Sequence, residues 1–133
     1  MNKREITIML LALCALFLLH INAMANHWYL HYRGFDMPMH FLGGICVALS
    51  IQCLGRIFWK RLFSISAVVW LTFIATICWE IFEAYYGIAG HRVGTGWYWF
   101  DSIKDIIVGT IGGWLVISNR YKLFGIGQKP KAR

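Results

Sequence analysis

Acidic side chains are scarce in this sequence: six Asp and Glu stand among 133 residues, against thirteen Lys and Arg. Charged residues of both signs make up only 14% of the chain and proline occurs twice. There is no C-x-x-C pair, and all four cysteines (Cys14, Cys46, Cys53 and Cys78) fall inside apolar runs. That placement excludes a disulfide framework or a thiolate zinc site and makes them small core or lipid-facing residues. Internal repeats are absent beyond a weak likeness of Asp36-x-x-x-His40 to Asp101-x-x-x-Asp105.

What is present is apolar: 59% of residues are hydrophobic and 17% aromatic. The length fits one integral membrane domain, residues 1–133. Four segments approach the ~20 residues that ~30 Å of hydrocarbon requires. They are about 6–25, 37–54, 65–86 and 100–117, followed by a polar, basic tail over 119–133. The first has two readings. Its basic start, apolar stretch and Ala23-Met24-Ala25 resemble a cleavable signal peptide. Its apolar character also continues past His20 to nearly a full span, which favours a retained helix.

The net charge of +7 invites a nucleic-acid reading, but its placement argues against one. Lys3 and Arg4 precede the first segment, and Arg56, Lys60 and Arg61 lie between the second and third. Arg120, Lys122, Lys129, Lys131 and Arg133 follow the fourth, while the two remaining loops carry only Arg33 and Arg92. This positive-inside asymmetry predicts an all-α bundle of four transmembrane helices, N-in and C-in, in a bacterial-type inner membrane. Contact with anionic lipid is a secondary role for the same cations. Trp28, Tyr29 and Tyr32 suit the outer membrane–water boundary, and Phe58 and Trp59 the inner one.

Five of the six acids, with one histidine, gather in three stretches: Asp36/His40, Glu80/Glu83 and Asp101/Asp105. Spacings of three and four residues put each pair on one helical face. Glu80 lies about 22 Å of helical rise beyond Ile65, hence roughly 8 Å below the outer boundary. Asp105 lies about 9 Å and His40 about 6 Å below it on the same scale. Three helices therefore present polar pairs at one level. A carboxylate at the bilayer centre costs about 2.5 kcal/mol or more, so such residues need a partner or a task.

The task expected here is holding one divalent metal ion. Oxygen ligands suit Mg²⁺ or Mn²⁺, and His40 admits Zn²⁺ or Fe²⁺. The predicted ligands are Asp36, His40, Glu80, Glu83, Asp101 and Asp105. Glu80, Glu83 and Asp105 are the expected catalytic groups, with Arg92 and His91 above them to receive an anionic head group. Such a metal would activate water or polarise a phosphoryl oxygen of a membrane lipid or lipid-linked phosphate. Alternatives stay open. Asp36 and Asp101 are also acceptable helix N-caps, and Lys104 has Asp101 or a neighbouring helix's acid as a partner. The same acids sharing protons would serve a small proton- or ion-coupled transporter, for which four helices invite a homo-oligomer. A non-catalytic envelope or assembly protein would use them only to pin helices together.

Asp36-x-x-x-His40-Phe41, Glu80/Glu83 and Asp101-x-x-x-Asp105-x-x-x-Gly109-x-x-x-Gly113 resemble the VanZ-like and YjdF-like membrane proteins. The resemblance spans residues 36–113 through sparse motifs. It implies that Asp36, His40, Glu80, Glu83, Arg92, Asp101 and Asp105 form the family's polar centre. Asp105 stands where VanZ-like proteins often carry asparagine, and the Glu80/Glu83 pair is closer to the YjdF-like branch. The resemblance implies a fold and a site, and no reaction.

Overall fold

Helix boundaries follow from side chains that satisfy the unpaired amides of a first turn. A computed structural model describes residues 3–32, 34–87 and 93–119, and all its regular elements are helical. They are α1 (Lys3–Ala25), α2 (Trp28–His31), α3 (Asp36–Phe58), α4 (Ile65–Tyr86) and α5 (Gly96–Ser118). Ser64 caps α4 by accepting from the Ala67 amide at 3.1 Å, and Gly87 ends it in the left-handed region at φ 68°. Thr95 caps α5 by accepting from the Tyr98 amide at 3.3 Å. Thr95→Ala is therefore expected to cost about 1 kcal/mol, read by thermal unfolding in detergent.

These caps correct three expectations. Asp101 is not an N-cap: α5 starts five residues earlier, so Trp97, Tyr98 and Trp99 are helical rather than loop. Asp36 is the first residue of α3 rather than its cap, since Phe35 before it already has helical angles. Pro38 then falls in the first turn, where its missing N–H breaks no intrahelical bond. At its other end α3 runs on to Phe58, taking Gly55 and Arg56 out of the expected loop.

Helix α3 is the centre of the bundle, packed most extensively on α5 and also on α1 and α4, while α4 packs on α5. Glycines set the closest approach. Gly44 of α3 lies against the backbone of Gly109 on α5, and Gly112 lies against the Phe41 carbonyl. Gly113 and Gly109 receive the methyl groups of Thr72 and Thr76 from α4. Small residues at an interface are how helices associate where burial of apolar area gives no driving force.

The distribution of polarity is the reverse of a water-soluble bundle. Outward faces carry Phe17, Trp70, Ile74, Ile107, Ile111 and Trp114, all exposed, whereas Thr72, Thr76, Ser102, Glu80 and Asp105 are buried. One apolar cluster (Ala48, Leu49, Val68, Val116 and Ile117) closes the end of the bundle remote from Glu80, with Ile8, Met9 and Ala12 of α1 against it. Three helices are long and apolar enough to cross a membrane: Ile6–Ala25, Asp36–Phe58 and Ile65–Tyr86. Helix α5 has the length, 23 residues, but carries Asp101, Lys104 and Asp105 in its first half. None of the four cysteines forms a disulfide; Cys46 and Cys53 are buried and Cys14 and Cys78 exposed.

Candidate functional site

The polar end of the bundle is assembled from the start of α3, the last turns of α4 and the first turns of α5. Asp36 and His40 share one face of α3, with His40 Nε2 3.4 Å from Asp36 Oδ1. Across the interface, His40 Nδ1 lies 3.8 Å from Glu80 Oε1 on α4. Two groups of ligand atoms result, Asp36–His40–Asp105 and His40–Glu80–Glu83, each with its atoms within 4.8 Å of one another. His40 belongs to both. Ligands at ~2.1 Å from one ion are at most ~4.2 Å apart, so side-chain shifts of roughly half an ångström would close either set.

Burial makes the cluster expensive. His40 and Glu80 are each 8% exposed and Asp105 only 2%. The Ser102 hydroxyl, also buried, pairs with the Glu80 carboxylate. Even so, Glu80 Oε1 and Asp105 Oδ1 have no hydrogen-bond partner. A buried acceptor left unpaired costs about 1–3 kcal/mol, and more when charged. Close, buried carboxylates therefore call for a cation or shared protons.

Lys104 supplies part of that cation. It pairs with Asp101, one turn earlier on α5, and its Nζ lies 3.4 Å from Asp105 Oδ1. Asp101 is accordingly held by Lys104 and enters neither ligand group, unlike the other five expected ligands. His91 and Arg92, the expected anion-binding pair, lie outside the described residues.

Tyr29 was expected only as a boundary aromatic, and it has a second place. Its hydroxyl lies 2.9 Å from His20 Nδ1 on α1, and its ring meets Phe35 edge-on. Burial, then the negative charges of Asp36 and Glu83, push the phenol up to about 12. Tyr29 is thus a neutral hydroxyl beside the acidic cluster, linking α1 to it. The one sequence signal was the polarity of His20 near the end of an apolar helix. Nothing in the spacing of Tyr29 and Asp36 foretells that α2 will bring them close.

The donor set can be read chemically. Carboxylate oxygens with one imidazole suit Mg²⁺, Mn²⁺ or Zn²⁺. A ligating histidine commonly has its second ring nitrogen held by a carboxylate, and His40 has a carboxylate on each side. Binding through one nitrogen would leave the carboxylate on the other to fix the ring. No family model, curated protein or solved structure matches this chain, so its function is argued from these residues.

Proposed function

We propose that this chain is a four-helix, multi-pass protein of a bacterial-type inner membrane that holds one divalent cation at the outer end of α3, α4 and α5. The cation serves metal-assisted chemistry on a lipid or lipid-linked phosphate. The observation that carries the reading is the convergence on His40 of two buried carboxylates, Glu80 and Asp105, each with an oxygen that accepts no hydrogen bond. The distribution of Lys and Arg supports α5 as the fourth span and both termini as cytoplasmic. The resemblance to VanZ-like and YjdF-like proteins agrees with that architecture.

In this reading His40, Asp36 and Asp105, or His40, Glu80 and Glu83, bind the ion. The carboxylates outside the chosen set orient the imidazole or take a proton from water. The metal supplies a Lewis acid for a phosphoryl oxygen. Arg92 and His91, outside the described residues, are the proposed cations for the phosphate.

The test is elemental analysis of detergent-purified protein beside Glu80→Gln/Asp105→Asn. The expected result is close to one divalent ion per chain, lost in a double variant that keeps its helical circular dichroism. Wild-type protein that stays metal-free after Mg²⁺, Mn²⁺ and Zn²⁺ are supplied would remove the reading.

One observation favours a second reading. Lys104, 3.4 Å from Asp105 Oδ1, gives the site a resident cation that a metal ligand does not need. Carboxylates, a histidine and a lysine in one buried cluster suit proton-coupled transport. Proteoliposome flux that follows a proton gradient, from protein without bound metal, would select it.

A further inference from the structure

The end of the bundle remote from the acidic cluster is closed by the connection between α3 and α4, and that connection is held in one shape by three devices. Gln52, 6% exposed in α3, clasps the backbone of Phe63 from both sides. Its Nε2 donates to the Phe63 carbonyl at 2.9 Å, and its Oε1 accepts from the Phe63 amide at 3.1 Å. The Phe63 ring lies where Gly55 has no Cβ; one built there would sit 2.7 Å from the ring. The Gly55 carbonyl accepts from both the Trp59 amide at 3.0 Å and the Arg61 amide at 3.3 Å. Between those two residues Lys60 takes φ 53°, a conformation that L side chains rarely adopt.

A loop fixed this firmly presents its side chains in a set pattern. Arg56, Lys60 and Arg61, with Leu62, line an open cavity of about 500 Å³. The Arg61 guanidinium rests 5.6 Å above the Phe63 ring, which anchors it without neutralising it. Five of the six acids lie in the three stretches at the other end; the sixth, Glu5, is in the first turns of α1, at the same end as this loop. Beside the cations, Leu54, Ile57, Phe58 and Trp59 expose apolar surface, with Phe58 at 69% and Trp59 at 60%. Cations next to an exposed apolar and aromatic edge match an amphiphile, with phosphate in the cavity and chains along α3.

We infer that this loop is a built site for the phosphate of an anionic phospholipid, separate from the proposed metal centre. General attraction of basic residues to a negative leaflet would depend only on charge. A built site depends also on the loop's shape, and Gln52 sets the shape while carrying no charge.

Full-length protein, purified in detergent, would be mixed with equal phosphatidylglycerol and phosphatidylcholine, and retained lipid read by native mass spectrometry. Wild type is expected to retain phosphatidylglycerol selectively. Lys60→Gln/Arg61→Gln should lose roughly twentyfold of that selectivity, and Lys3→Gln/Arg4→Gln, with the same change in charge, should keep it. Gln52→Leu is expected to lose most of it with charge unchanged. The exposed Lys60 and Arg61 decide the matter if Gln52→Leu fails to fold. Equal losses in the two double-charge variants, or no selectivity in wild type, would overturn the proposal. Displacement of the lipid by millimolar inorganic phosphate would overturn it too, by making the site one for a free anion.

Discussion

Gly44→Ala is expected to break the bundle, and Gly43→Ala to leave it intact. A Cβ at Gly44 would fall inside van der Waals distance of the Gly109 carbonyl, oxygen and carbon alike. Both partners are backbone in regular helix, so no side-chain rotation relieves the overlap and α3 and α5 must separate. Overpacking a core costs about 1–3 kcal/mol and sometimes more, and backbone against backbone belongs at or above the top of that range. A Cβ at Gly43 meets nothing within 4 Å. There alanine replaces glycine in a helix interior, worth about 0.5–1 kcal/mol of added stability. Thermal unfolding in one detergent, followed by circular dichroism, compares the two. Similar melting of both variants would mean that α3 and α5 do not meet at this glycine. The consequence reaches the site as well, since the α3–α5 contact sets His40 beside Asp105.

That contrast between neighbours also marks what the sequence makes legible. Gly43-Gly44 announces a close approach, but only the rotation of α3 decides which glycine faces α5. The clustering of polar side chains was readable because acids are scarce and costly in an apolar chain. Pairs spaced three or four apart had to share helical faces, and five of the six expected ligands do come together. Asp101 stands apart from both groups because a local interaction wins: Lys104 is one turn away on its own helix and takes its carboxylate. The start of α5 was placed near residue 100 because Asp101 is an acceptable cap, but Thr95 offers a capping hydroxyl earlier in the chain and stands first. Gln52 carried no readable signal, since its partner is the backbone of Phe63, reached only once the chain has turned. Tyr29 was half legible. Its aromatic character placed it at a boundary, but its proximity to Asp36 and Glu83 depends on how α2 folds back.

His40→Ala is expected to weaken metal binding by roughly a hundredfold or more, the largest effect of any single substitution in the cluster. Disturbing a group that merely orients a ligand costs about 10–100-fold, and in the proposed site His40 is itself a ligand. It is the one residue common to both ligand groups, and its two nitrogens face Asp36 at 3.4 Å and Glu80 at 3.8 Å. Removing it would delete a proposed ligand and leave two carboxylates facing each other across a gap. Asp36→Asn should weaken binding less, because the His40–Glu80–Glu83 group survives it. Titration of the metal-stripped, folded protein with Mn²⁺ and with Zn²⁺ measures both effects. Unchanged affinity in His40→Ala would place the ion elsewhere or nowhere. The two metals should also respond differently: an imidazole matters more to Zn²⁺ than to Mn²⁺, for which carboxylate oxygens suffice. If His40 is a ligand, its loss lowers Zn²⁺ affinity by a larger factor than Mn²⁺ affinity. If it only holds Asp36 and Glu80 in position, both affinities fall by the same factor, because then only the geometry of the carboxylates has changed.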